Sequence, residues 1–133
     1  MKHPFSLRPT SAALAGLMLA VAPIAVTAQD AAGEWATPEQ VERGEAAYQQ
    51  KCSTCHGNDI VSIFKSFPSA GQFYGFVSTT MPGDAPGSLP AQQYADIIAF
   101  LAAENGMTVG TEELLPDQSI LDTIRPADFG AAQ

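Results

Sequence analysis

The chain has 133 residues, with 14 acidic against six basic side chains and a formal net charge of −8 at pH 7. That length allows one small domain. So acidic a balance leaves almost nothing with which to neutralise phosphates, which excludes a protein held on nucleic acid by its backbone charge.

Residues Met1 to Ala28 have the organisation of a cleaved secretory signal. Lys2, His3 and Arg8 form a polar front end, Ala12 to Val26 is almost wholly apolar, and Val26-Thr27-Ala28 is a small-residue cleavage site. Pro23 and the short apolar span favour cleavage over a retained anchor. Removing these 28 residues, Lys2 and Arg8 among them, leaves 105 residues with four basic and 14 acidic side chains, a net charge of −10. No apolar stretch in the remainder approaches the ~20 residues of a membrane span. The mature chain is therefore expected in an exported compartment, the bacterial periplasm, without a membrane span.

Residues 29–36 form a lead-in segment with the single Trp35. A first helix follows. Thr37 suits its N-cap, Pro38 its first position, and Gln40 the position where a capping box places Glu or Gln. Glu39, Glu42 and Glu45 fill the early turns, where the helix dipole favours negative charge. Val41, Gly44, Ala47 or Tyr48, Lys51 and Cys52 recur at helical spacing, so the helix runs into the cysteines. Asn58 to Pro68 shows no sustained period and is expected to be a short, turn-rich crossing whose apolar residues cover something. Ser69 is placed to cap a second helix through Thr79, with Phe73, Phe76 and Val77 on one side. Met81 to Leu89 holds two prolines and two glycines and reads as an irregular loop with a fixed path. The last helix is expected over Pro90 to Glu104, with Tyr94, Ile97, Ile98 and Leu101 as its stripe and Asn105-Gly106 as its terminator. Beyond Gly106 the chain is acidic and broken by Pro116 and Pro126; it is free to drape over the body, but no long element is expected there.

Ten prolines, eleven glycines and an alanine-rich apolar set make a weak core for a domain of this size, and small exported domains usually need a staple. A disulfide between the only two cysteines, Cys52 and Cys55, would close too short a loop to restrain much. Cys52-Ser53-Thr54-Cys55-His56 is instead the C-x-x-C-H pattern of covalent c-type haem attachment. At a helix end both thiols project from nearly one turn and can add to two vinyl groups, with His56 held beneath the iron. The porphyrin then supplies the rigid apolar body that the core lacks. Three other readings compete. A thiol-redox pair needs a low-pKa cysteine and a β-α-β pattern, which is missing. A zinc site needs four ligands, and the mature chain offers only Cys52, Cys55 and His56. The third is chance occurrence of the motif on a structural helix.

The second axial ligand follows by elimination. The mature chain has no other histidine, and Met with His makes an electron-transfer haem of raised potential. Met81 and Met107 are the candidates. Met81 sits in the Gly/Pro-braced loop and is favoured. Met107 follows the last helix and would have to fold back. Either could instead be core filler.

With these residues in view, the chain resembles a single-haem class I c-type cytochrome over most of Thr37 to Gly106. The matching parts are Gly44 and Tyr48, Cys52 to Gly57 (CSTCHG), Thr79 to Gly83 (TTMPG) and Tyr94 to Leu101 (YADIIAFL). The resemblance implies an all-α, class I cytochrome c-like fold with crossed first and last helices around one covalent haem c. Gly44 would meet Phe100 at the crossing, with Tyr48 and Ile97 nearby. It divides the chain into a signal at 1–28, a lead-in at 29–36, a cytochrome domain at 37–106 and a largely irregular extension at 107–133. The 25 positions from His56 to Met81 are fewer than is usual in such cytochromes, which implies a more open haem edge. The stretch from Met81 to Gly106, with Gly110 to Leu115 behind it, is similar to cytochrome subunits that accept electrons from PQQ-dependent periplasmic dehydrogenases.

The expected function is electron carriage rather than enzymatic bond chemistry, because six-coordinate iron leaves no position for substrate. The donor would be a periplasmic PQQ-type dehydrogenase, and the acceptor a terminal oxidase or another cytochrome. Transfer is expected near Ser53, Thr54 and the Met81 to Ala85 loop, where Asp84 is the one charge. One alternative is a haem enzyme or gas sensor with a labile sixth ligand. Another is a permanently bound dehydrogenase subunit, docked through the tail from Gly110.

Overall fold

The computed structural model describes residues 35–130. The expected signal at 1–28, the lead-in up to residue 34 and the last three residues lie outside the described residues. Six α-helices follow one another: α1 (Pro38–Lys51), α2 (Ser53–His56), α3 (Asp59–Lys65), α4 (Ala70–Thr80), α5 (Ala91–Glu104) and α6 (Gln118–Leu121), with a 3₁₀ turn at Pro126–Asp128. Among the described residues no strand forms beyond one isolated parallel bridge, Trp35 to Glu112, so the fold is all-α as expected. No helix among them is long and apolar enough to cross a membrane.

The local signals explain where the main helices begin. Thr37 caps α1 by accepting the Gln40 N–H at 3.1 Å, and Ser69 caps α4 by accepting the Gln72 N–H at 3.1 Å. Gly106, at φ 91°, takes the left-handed conformation just past α5 that ends a helix cheaply only with glycine. Helices α1 and α5 form the principal packing of the fold. They cross at Gly44, where a Cβ would overlap the Asp96 carbonyl and lie 3.0 Å from the Phe100 Cβ. One turn further along α1, the Tyr48 ring meets Phe100 at a centroid distance of 5.4 Å. The expected crossing is the one observed.

Three features differ from the sequence expectation. The stretch after Asn58 is not a turn-rich crossing, because Asp59–Lys65 is helical. Two turns are too few to display a period, yet Asp59 at the start and Lys65 at the end suit the dipole. The segment does cover the core: Phe64 is fully buried against Phe73 in an edge-on pair at 5.0 Å. Phe76 does not share the buried side of α4 with Phe73 and Val77, and remains 50% exposed.

The third difference is Gln40. Its side chain does not turn back to close a capping box but enters the core with no exposure at all. There it donates to Asp96 Oδ1 at 2.9 Å and to the Leu114 carbonyl at 2.8 Å, and accepts the Leu114 N–H at 2.7 Å. Gln92 donates to the same Asp96 oxygen and the same Leu114 carbonyl, and Arg43 bonds both Asp96 and Glu113. Burying Gln40 and Asp96 is tolerable only because these partners satisfy them.

The chain beyond Gly106 forms no long element, as expected. It is irregular apart from α6 and the 3₁₀ turn, but Leu114, Leu121, Ile124 and Phe129 are buried in the same core as the helices. Gly110 donates its N–H to Ala36 at 2.8 Å and Ala70 donates to Ile124 at 2.9 Å, so backbone bonds fasten this stretch to the segment before α1 and to the start of α4. It belongs to the domain and is not a free arm.

Candidate cofactor site

The site is built where α1 runs out. Cys52 closes α1 by donating its N–H to Tyr48 at 2.8 Å, and its own carbonyl then accepts from Cys55 and His56 at 3.1 and 3.0 Å. The turn is held from the core as well. Tyr48, 1% exposed, donates its phenol hydrogen to the Gly57 carbonyl at 2.5 Å. Burial, above all, pushes the Tyr48 phenol up, which keeps it a protonated donor.

A second anchorage fixes Met81, the C-cap of α4. Its N–H donates to the Val77 carbonyl at 2.9 Å, and its carbonyl accepts from Gly87 at 3.0 Å and from the Tyr94 phenol at 2.6 Å. The main chain of Met81 is therefore tied to its own helix, to its own loop and to α5.

Both anchored segments face one cavity of about 560 Å³, lined by Cys52, Cys55, His56 and Met81 together. Ile60 of α3, Phe73 and Val77 of α4, Leu89 of the loop, and Ile97 and Leu101 of α5 supply apolar wall. Lys51 and Asp84 are the charged side chains on its lining. Cys52, Cys55, His56 and Met81 thus reach the same place, whereas Ser53 and Ala85, expected at the transfer face, are not on the lining. Met107 does not line it. It is buried behind the end of α5, where its N–H donates to the Ala102 carbonyl.

A haem fits what these residues offer. The volume lies in the range of cofactor pockets, the wall is mainly apolar, and two thiols, one imidazole and one thioether stand on it. The competing chemistries fit less well. Burial pushes the Cys52 thiol up, whereas a thiol-exchange nucleophile needs it lowered. No three His, Cys, Asp or Glu side chains converge on one point among the described residues, so a four-ligand zinc site has no donor set there.

Sequence reasoning placed Tyr48 and Tyr94 on apolar helix faces and missed the work of their hydroxyl groups. The available signal was residue type. A tyrosine at a core position, where phenylalanine would pack as well, implies a polar partner for its tip.

The family model described as "Cytochrome C oxidase, cbb3-type, subunit III" matches residues 39–101, a stretch that contains every residue of the cavity lining. The match supports a c-type cytochrome domain, a class that carries covalently bound haem c and moves electrons through it. No curated protein and no solved structure matches the chain.

Proposed function

We propose that this protein is a periplasmic one-electron carrier built around a single haem c. One observation carries the proposal: Cys52, Cys55, His56 and Met81 come from two separately anchored segments and line the same apolar cavity. Cys52 and Cys55 would hold the group through thioether bonds, and His56 and Met81 would supply the iron with an imidazole nitrogen and a thioether sulfur. The haem supplies a ferric/ferrous couple, whose potential the Met sulfur raises relative to harder ligands. The chain's own part is positional. Tyr48 fixes the turn that presents His56, and the apolar wall offers the porphyrin a surface to pack on.

Electrons would enter and leave where Thr54, Cys55, Gly83 and Asp84, all exposed, reach the cavity rim. The donor we assign is a PQQ-type periplasmic dehydrogenase, and the acceptor a terminal oxidase or another cytochrome. The exported protein should be red, and neither cysteine should react with an alkylating reagent after unfolding. A colourless protein with both thiols alkylated would overturn the proposal.

The acidic excess belongs to the same reading. Glu39, Glu42 and Glu45 are exposed on α1, while the cavity rim carries only Lys51 and Asp84. The negative field thus acts over distance on a basic partner, while the transfer face itself stays nearly neutral. The second-order rate of electron transfer to a basic partner should fall about tenfold or more from low to high salt. The limiting first-order rate at saturating partner should change little. A second-order rate indifferent to salt would leave the charge with no role beyond solubility.

A further inference from the structure

We infer that Tyr94 is the positioning residue of the sixth iron ligand: from α5, its phenol pins both ends of the loop that presents Met81. The inference rests on the His56/Met81 ligation proposed above. The Tyr94 ring is 3% exposed, and its hydroxyl donates to the Met81 carbonyl at 2.6 Å. The same oxygen accepts the Leu89 N–H at 3.4 Å. Met81 opens the loop between α4 and α5 and Leu89 lies one residue from its close, so one phenol bridges its two ends. The ring itself is fixed edge-on by Tyr74 at 6.4 Å, and it lines the cavity.

The other restraints on Met81 are local. Its N–H bonds within α4, and Gly87 closes the loop on itself. Those bonds shape the loop but do not locate it against the rest of the domain. Among the hydrogen bonds at Met81, that from Tyr94 alone reaches a distant element, the helix that also meets α1 at Gly44. A thioether is a weak donor to ferric iron, so its bond depends on the loop being held where the sulfur already points. Removing the phenol hydroxyl should therefore leave sulfur ligation in place but easier to displace.

The test uses the haem-loaded full-length protein in its ferric form, with imidazole as the competing ligand. Tyr94→Phe keeps the ring and deletes the hydroxyl. It should retain the weak far-red absorbance of sulfur-ligated ferric haem, while imidazole displaces the sulfur at about two- to tenfold lower concentration. That ratio is what the net contribution of one neutral hydrogen bond converts to. Asp117→Ala is the control for general loosening. It removes the cap of α6, which accepts the Ser119 N–H at 2.8 Å far along the chain, and should lower stability without moving the imidazole titration. An unchanged titration in Tyr94→Phe, or an equal shift in both variants, overturns the inference. Met81→Ala separates the two levels: if it keeps the far-red band, the ligation reading itself fails and this inference falls with it. If Tyr94→Phe does not fold, the wild-type ferrous protein still decides. Its Tyr94 hydroxyl proton should exchange slowly with water in NMR spectra, and a freely exchanging one rejects the role.

Discussion

Replacing Gly44 with alanine is expected to destabilise the protein by about 3 kcal/mol or more, seen as a fall in Tm of about 12–20 °C for a domain of this size. The added Cβ would lie 2.6 Å from the Asp96 carbonyl carbon as well as overlapping its oxygen. These are backbone atoms in the middle of α5, so no rotamer change relieves the contact and the helices must separate. Separation loosens the Tyr48–Phe100 pair and the Gln40–Asp96 hydrogen bond, which span the same interface. Helix propensity alone predicts the opposite sign, since alanine in a helix interior is favoured over glycine by about 1 kcal/mol. The sign of the change therefore decides between a close crossing and a merely flexible position. A rise in Tm would show that the helices do not approach as described.

Replacing Met81 with alanine should abolish the far-red band of the ferric protein completely and let the ferrous protein bind carbon monoxide. The substitution removes the one thioether on the cavity wall, and Met107 stands elsewhere in the core and cannot take its place. The only other histidine in the sequence, His3, lies within the expected signal. The potential should fall as well, because loss of sulfur removes the ligand that favours ferrous iron. Unfolding is not the expected cause of these changes. The three hydrogen bonds that hold residue 81 are made by its main chain and survive the substitution. A variant that keeps the band and stays closed to carbon monoxide would remove Met81 from the iron.

What the sequence revealed, and what it did not, divides by range. Thr37-Pro38, Ser69 and Asn105-Gly106 act within a turn of themselves, and each marks a helix boundary within a residue of where it occurs. The cysteine motif is local too, and the likeness carried by Gly44 and Phe100 located the helix crossing. Helix α3 escaped because Asp59–Lys65 is too short for its apolar residues to repeat. The partners of Gln40 escaped for the opposite reason, since Leu114 is 74 residues away and nothing near Gln40 marks it. Leu114, Leu121, Ile124 and Phe129 follow no period and are broken up by Pro116 and Pro126, so which residues of the irregular extension enter the core was not legible. The bonds of Tyr48 and Tyr94 end on carbonyl groups, which every residue has, so residue type pointed to a partner without saying which.

The pairing of Gln40 with Leu114 bears on how small a working haem carrier could be cut from this polypeptide. The family-matched portion stops at residue 101, before the segment that partners that carboxamide has begun. An excised fragment ending there would bare the Gln40 amide and withdraw Glu113 from Arg43. It would also strip Leu121 and Ile124 from the interior. Trimming for a minimal redox module has to stop no earlier than Phe129, which still stacks toward Phe64 at 6.4 Å.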